Sequence, residues 1–311
     1  MHVEEELAQF KPRKDMFLSI GVFDGVHLGH RHLISKLVKL AHKQELLSGV
    51  VTFSPHPREL LSPKTRLSYL TTVSERENLL KNEGVDLVVT LSFTHELARL
   101  TAREFVILLQ KQLNMKGLVI GPDFALGKNR EGNIDTLHTL GEELGFSVTV
   151  VSPEKINGEV VSSTAIRNAL AEGDVPKATR LLGHPFSLQG KVTRGDHRGT
   201  GMGFPTANLD VNAKQAIPLE GVYASWAYVE GKKYQAVTNI GRRPTFGDNN
   251  ERTIESYMLN YNHDLYGKEV KIEIIQRLRA EKRFDDIEEL KKQIAQDVKQ
   301  GTKILDAHCA Q

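Results

Sequence analysis

Gly21-Val22-Phe23-Asp24-Gly25-Val26-His27-Leu28-Gly29-His30 joins an apolar, β-compatible run, Met16 to Ile20, to a segment carrying Leu33, Leu37, Leu40 and Ala41 at helical spacing. A strand that ends in a glycine turn and passes at once into a helix is the joint of an α/β sheet. A helix N-terminus attracts anions. His27 and His30, at i and i+3, project from one side of the first turn, and Gly29 between them leaves the backbone open to a phosphate. The turn is expected to hold a nucleoside triphosphate.

Strand-like segments near 16–21, 49–54, 86–92, 117–121 and 147–151 alternate with helical ones near 28–46, 74–82, 101–113 and 134–144. Such alternation predicts an α/β, Rossmann-like domain with a parallel sheet, whose ligands gather at the carboxyl ends of the strands. After Val161-Ser162-Ser163-Thr164-Ala165-Ile166-Arg167 a helical stretch runs to Leu182-Gly183, and His184-Pro185 marks a boundary, giving domains 1–184 and 185–311. Beyond it, short alternating segments at 186–194, 221–230, 233–240, 253–261 and 268–279 predict a small antiparallel barrel or sandwich. A closing helix is expected from Asp285 to Val298, packed through Ile287, Leu290, Ile294 and Val298.

Composition narrows the function. The 311 residues suit about two domains. Lysine plus arginine (41) nearly balances aspartate plus glutamate (39), so any anion site is local and a nucleic-acid partner is not expected. The single cysteine, Cys309, excludes an intrachain disulfide and a multi-cysteine zinc site and suits a reducing compartment, the cytoplasm by default. No apolar run is long enough to span a bilayer, and the acidic start His2-Val3-Glu4-Glu5-Glu6 is unlike a secretory signal, so no membrane partner is expected.

The histidine element is followed by Thr52-Phe53-Ser54-Pro55-His56-Pro57, by Gly121-Pro122-Asp123-Phe124 with Gly127, and by Ser162 to Arg167. In order and approximate spacing these strings resemble the bacterial bifunctional riboflavin kinase/FAD synthetases, whose N-terminal domain is a nucleotidylyltransferase. The resemblance implies that FMN attacks the α-phosphorus of ATP, releasing pyrophosphate. The nucleophile is already ionised, so positioning and charge neutralisation suffice. It implies a catalytic part for His27, His30 and Arg167, and ATP contacts at Gly21, Phe23, Asp24, Gly29, Ser162, Ser163 and Thr164. Physically, Ser163 or Thr164 can cap a helix beginning near Ile166, with the Arg167 fork offered to phosphate. Phe53, Pro55, Pro57, Asp123 and Phe124 are implied in the flavin pocket, although Phe53, Pro55, Pro57 and Phe124 read nearly as well as core. The family often has arginine and phenylalanine where this chain has Ala125 and Leu126, a difference that bears on flavin affinity.

In the second half, Gly203-Phe204-Pro205-Thr206-Ala207-Asn208, preceded by Arg194-Gly195-Asp196-His197-Arg198-Gly199, resembles the riboflavin kinase signature. The resemblance places Gly203, Thr206 and Asn208 at the ATP phosphates and Thr206 and Asn208 at Mg2+ as well; a hydroxyl and an amide carbonyl are hard oxygen donors suited to that ion. Strand alternation puts Glu255 on one face with Tyr257 and Leu259, expected to be the inward face, and by family position it is the base that takes the proton of the ribityl 5′-hydroxyl. Asn239-Ile240-Gly241, Pro244-Thr245-Phe246-Gly247 and Asp264-Leu265-Tyr266-Gly267 are expected as loops around the flavin. Thr200 and Met202 depart from the common Arg-Xaa-Leu/Ile-Gly-Phe-Pro form, removing one potential phosphate contact. The expected substrates and products are ATP, riboflavin, FMN and FAD. A FAD synthetase with a weak or inactive kinase domain, another adenylyl- or cytidylyltransferase acting on pantetheine or nicotinamide nucleotides, and a non-catalytic flavin-binding regulator stand as alternatives.

Overall fold

The structure, a computed structural model, describes residues 2–62, 67–194, 204–242, 252–261, 263–284 and 286–309. The chain divides into two compact units, Met1–Leu67 with Thr71–Ser162, and Ser68–Leu70 with Ser163–Gln311.

In the first unit five parallel strands, β1 (Met16–Ile20), β2 (Leu47–Ser54), β3 (Leu87–Ser92), β4 (Met115–Ile120) and β5 (Ser147–Val150), lie in the order β3-β2-β1-β4-β5. The central strand β1 is buried at every residue, as a doubly covered parallel strand must be. Its alternate side chains feed two cores. Met16, Leu18 and Ile20 join one with Phe105 and Leu109 of α6 (Ala102–Leu113). Phe17 joins the other with Ile34 and Leu37 of α2 (Leu28–Lys43). Helices α4 (Val73–Asn82) and α7 (Ile134–Leu144) fall close to expectation. Three short ones, α1 (Val3–Ala8), α3 (Pro57–Leu61) and α5 (His95–Arg99), and a hairpin of β6 (Lys155–Ile156) and β7 (Glu159–Val160) are additions. The strand order reverses between β1 and β4, which opens a crevice at their carboxyl ends.

The second unit begins with α8 (Ser163–Glu172) and α9 (Val175–Leu182), the latter ended by Gly183 at φ 78°. Six strands, β8 (Phe186–Thr193), β9 (Thr206–Val211), β10 (Gly221–Val229), β11 (Lys232–Arg242), β12 (Arg252–Met258) and β13 (Glu269–Arg279), close a barrel in the order β10-β11-β12-β9-β8-β13. The barrel form is thereby settled over the sandwich. Strand β9 covers Thr206 to Asn208, which lie outside the strand-like segments expected from the sequence. The closing helix, α10 (Ile287–Cys309), is longer than the expected 285–298.

The packing of α10 also differs from expectation. Ile287 is exposed, and the buried line is Asp297, Gly301 and Leu305. Gly301 lets the helix approach Val237 and Ala224 on the outer barrel wall, while Leu305 packs with Trp226 and Ile275. Arg279, at the end of β13, grips the Asp297 carboxylate through Nε at 3.0 Å and Nη2 at 2.8 Å, and Gln293 donates to the same group at 3.0 Å. A buried carboxylate needs such partners. Asp297→Ala strands the Arg279 charge and is expected to destabilise the barrel by about 3 kcal/mol. Urea unfolding followed by the fluorescence of Trp226, the chain's one tryptophan, measures it; the double change Arg279→Met/Asp297→Met should recover most of the loss, and an unmoved midpoint in Asp297→Ala refutes the clasp.

Candidate active sites

The turn after β1 is strained and firmly held. Phe23, Gly25 and Val26 all have positive φ, at 52°, 83° and 39°, a region a β-branched residue such as Val26 rarely adopts. Asp24, only 2% exposed, accepts the Thr71 N–H at 3.2 Å, and Thr71 Oγ1 in turn accepts the Gly25 N–H at 3.1 Å. The Val22 carbonyl accepts from Thr52 Oγ1 at 2.9 Å and from Arg76 Nη1 at 3.0 Å. Asp24 thus fastens the turn from within.

His27 is the N-cap of α2: its Nδ1 accepts the His30 N–H at 3.3 Å. That bond places the proton of the neutral ring on Nε2, a donor. The rings of His27 and His30 stack with centroids 3.6 Å apart and planes at 16°, and the edge of Phe23 meets His30 at 5.2 Å. A Cβ on Gly29 would stand 3.2 Å from the His27 ring and from the Val161 carbonyl oxygen. The space expected there for a phosphate is therefore filled by the protein, and glycine is needed so that His27 can lie back over the helix. Gly21 serves Phe23 likewise, its missing Cβ lying 3.1 Å from that ring. His30 Nδ1 is buried without a hydrogen-bond partner. Burial, then the neighbouring His27, then Arg76 push the His30 pKa well below its ordinary 6.5, so the ring is neutral at physiological pH.

The other strands of the sheet carry the remaining elements to the same edge. Phe53 is next to last in β2, half-buried against the core and edge-on to Phe93 at 5.5 Å; a cis Ser54-Pro55 bond follows, and Pro57 is the first residue of α3, capped by His56. Asp123 is exposed beyond β4, with Arg130 Nη2 donating to its carbonyl at 3.1 Å, while Phe124 packs partly into the core. Leu126 is a core residue, held by paired backbone bonds to Gly132. Ser162 closes the first unit and α8 starts at Ser163, earlier than the expected Ile166, so Ser163 and Thr164 occupy its first turn instead of capping it. Arg167 belongs to the second unit and donates from Nε to the Ser68 carbonyl at 2.6 Å. Sequence reasoning missed Arg76 and Thr71. Arg76 left a signal: with Leu80 it makes the buried i, i+4 stripe of α4, so a charge stands where that helix should be apolar.

On the barrel, Glu255 pairs with Asn208 on one side and Asn239 on the other, and Tyr257 pairs with Thr206. Paired residues share a face. That face is the outer one, contrary to expectation: Ile254, Ser256 and Met258 point inward, and Ser256 is hydrogen-bonded to Thr238 at 3.0 Å, which is bonded to Ser225 at 2.7 Å. An interior lined partly with hydroxyls conceals the direction of the strand, because its polarity imitates a solvent face. Thr206, Asn208, Asn239 and Glu255 therefore form a polar patch on the outside of the barrel, where Phe204 lies edge-on to Tyr257 at 5.4 Å. The Glu281 carboxylate covers Gly241, where a Cβ would stand within van der Waals distance. Gly203, the 195–202 segment with Thr200 and Met202, and the 244–247 turn lie outside the described residues. Among the described residues no three His, Cys, Asp or Glu side chains cluster as a metal site.

A strained histidine turn at the edge of a parallel sheet, followed by a barrel with an oxygen-rich outer face, fits a two-part nucleotide-dependent transferase. The FAD synthetase family model matches residues 9–165 and the riboflavin kinase model residues 182–305. The bifunctional riboflavin kinase/FMN adenylyltransferase of Escherichia coli (strain K12) is 40% identical over 288 residues, 92% of this chain and 91% of that protein. The protein of the same name from Bacillus subtilis (strain 168) is 35% identical over 291 residues, with the same coverage. A crystal structure described as a macrolide-efflux protein from Streptococcus pneumoniae shares the fold, with a TM-score of 0.84 and 33% identity over 92% of this chain and 93% of that one. No described helix here is long and apolar enough to cross a membrane. The chain belongs to the bifunctional riboflavin kinase/FMN adenylyltransferase family.

The neutral state of His30 has a consequence for stability. The unfolded ring takes up a proton below about pH 6.5, whereas the folded one resists it, so stability is full above that value and falls as the pH drops beneath it. His30→Gln should flatten this fall. Urea midpoints of the first unit at about pH 7 and about pH 5 test it: an equal acid-side loss in variant and wild type refutes the buried neutral imidazole.

Proposed function

We propose that the chain makes FAD in two steps, with Glu255 serving the kinase reaction and the His27–His30 pair the adenylyl transfer. The barrel unit phosphorylates riboflavin with ATP to give FMN, and the sheet unit joins FMN to the adenylyl group of a second ATP, releasing pyrophosphate. The division at 184/185 is kept as the functional boundary, and the start of the riboflavin kinase match at residue 182 supports it. The observation that carries the assignment is the row Asn208–Glu255–Asn239 in register across three strands, a carboxylate flanked by amides on an outer face.

In the first reaction Glu255 accepts the proton of the ribityl 5′-hydroxyl as that oxygen attacks the γ-phosphorus of ATP, and ADP leaves. Thr206 and Asn208, two residues apart on one face of β9, offer a hydroxyl and an amide oxygen toward the phosphates. Those donors fit Mg2+, which when bound neutralises phosphate charge. Few protein ligands are needed for an ion carried largely on phosphates. In the second reaction the FMN phosphate is the nucleophile and needs no base. His27 Nε2 donates a hydrogen bond to the triphosphate, and neutral His30, whose buried Nδ1 lacks a protein partner, meets the oxygens whose charge grows as pyrophosphate departs. Gly21, Phe23, Asp24 and Gly29 act here by holding the turn. Ser162, Ser163, Thr164 and Arg167 keep the ATP-phosphate role implied by family position, Gly203 that at the kinase phosphates, and Phe53, Pro55, Pro57, Asp123 and Phe124 that at the flavin. A reducing, cytoplasmic setting belongs to the same reading, supported by the single cysteine.

The test supplies ATP and Mg2+ with either riboflavin or FMN and separates the flavins chromatographically. Glu255→Gln should cut FMN formation by about 10²–10⁴-fold and spare FAD formation from FMN; equal loss of both sinks the division of labour. His30→Ala should do the converse, by about 10²–10³-fold, and adenylylation at the normal rate removes the imidazole from the mechanism. FAD from FMN without FMN from riboflavin would establish the monofunctional alternative, and flavin binding with neither product the regulatory one.

A further inference from the structure

We propose that Arg76 is a positioning residue for adenylyl transfer, locking the histidine turn to the Phe53–Pro57 segment by binding the Val22 and Phe53 carbonyls together. Its guanidinium is 1% exposed and lies beneath the carboxyl ends of β1 and β2. Nη1 donates to Val22 at 3.0 Å and Nη2 to Phe53 at 3.0 Å. The strand ladder between β1 and β2 runs out just before these groups, its last step being the Gly21 N–H to the Val51 carbonyl at 3.0 Å. Past that point the two chains diverge, one toward His27 and the other toward Pro57. Adjacent strand ends lie about 4.8 Å apart, a span that the planar fork of an arginine bridges with two donors and a lysine ammonium does not match.

The bridge reaches the chemistry through few bonds on either side. The Val22 carbonyl belongs to the peptide that sets Phe23 at positive φ, and the Phe23 ring packs on His30. The Phe53 carbonyl precedes the turn that delivers Pro55 and Pro57. One side chain thus fixes the ATP-facing turn relative to the flavin-facing segment, and reacting groups misplaced by about 1 Å lose rate by about 10²-fold. Arg76 is also, with His27, one of the two charged or titratable groups that depress protonation of His30. The inference rests on the assignment of the histidine turn to ATP and of Phe53–Pro57 to flavin.

Arg76→Met, Arg76→Lys and Thr52→Val in the full chain test it, at a temperature well below unfolding and with rates referred to folded protein. Arg76→Met is expected to lower kcat for FMN adenylylation by about 10–100-fold, with riboflavin phosphorylation by the same sample within about twofold of wild type. Arg76→Lys, which keeps one carbonyl contact, should fall between. Thr52→Val, which loses only the hydroxyl on Val22, should cost a few-fold. The acid limb of the adenylylation profile should move to higher pH in Arg76→Met, where His30 loses a cationic neighbour, and stay in place in Thr52→Val. Variants that melt earlier but keep the wild-type kcat and profile overturn the proposal. If Arg76→Met does not fold, wild-type kcat in both Arg76→Lys and Thr52→Val overturns it as well. His30→Ala, assayed alongside, separates the two levels: full activity there condemns the site assignment, whereas full activity only in the Arg76 series condemns the positioning role.

Discussion

The Val22 carbonyl oxygen, held by Thr52 and Arg76 at the end of the central strand, is the point on which the conformation of the histidine turn depends. A backbone with three departures into positive φ within four residues, at Phe23, Gly25 and Val26, does not persist by local preference. It is maintained because donors outside the turn fix its entry and because Asp24 and Thr71 clamp its middle. What the strain achieves is placement: the chain leaves a buried strand and re-enters as a helix with two imidazoles stacked over its first turn. A relaxed turn would not bring His27 back as the cap of its own helix.

The barrel solves a different problem by different means. Its polar face needs no strained backbone, because antiparallel register already sets Asn208, Glu255 and Asn239 side by side. Placing that patch on the outer wall leaves the interior free for packing by residues such as Phe186, Leu188 and Ile272, with hydroxyls satisfying one another along Ser225, Thr238 and Ser256. A carboxylate inside such a barrel would have met a costly desolvation.

The parallel sheet was legible because β1 to β4 are largely apolar runs closed by a glycine turn or followed within a few residues by a helix start, and the periods of 2 and 3.6 are hard to confuse there. The short helices α3 and α5 were not, since each is one to two turns held by a cap, His56 or Thr94, below the length at which periodicity can speak. Direction failed for Glu255 for a physical reason: alternation gives which residues share a face, and polarity alone was left to choose between faces. Strand β9 was hidden because Thr206-Ala207-Asn208 follows a glycine-rich segment in the sequence, which masks its pairing with the preceding β8 and with distant β12. Arg76 is the instructive omission. An arginine in a helix reads as solvated, and only the sheet edge above it reveals two carbonyls needing donors.

The two reactions make opposite demands on their side chains, and the residues proposed for them are of opposite types. An alcohol surrenders a proton as it attacks a phosphorus, which calls for a carboxylate able to accept it. A phosphate monoester carries its negative charge already, so a base adds nothing and an additional carboxylate would repel it. Neutral imidazoles avoid that repulsion while still offering N–H donors, and burial that keeps His30 uncharged also spares the folded sheet an unpaired cation beside Arg76. The same desolvation that suits the chemistry therefore suits the packing. For the sheet unit, catalytic neutrality and structural stability are one requirement, imposed where the chain is most constrained.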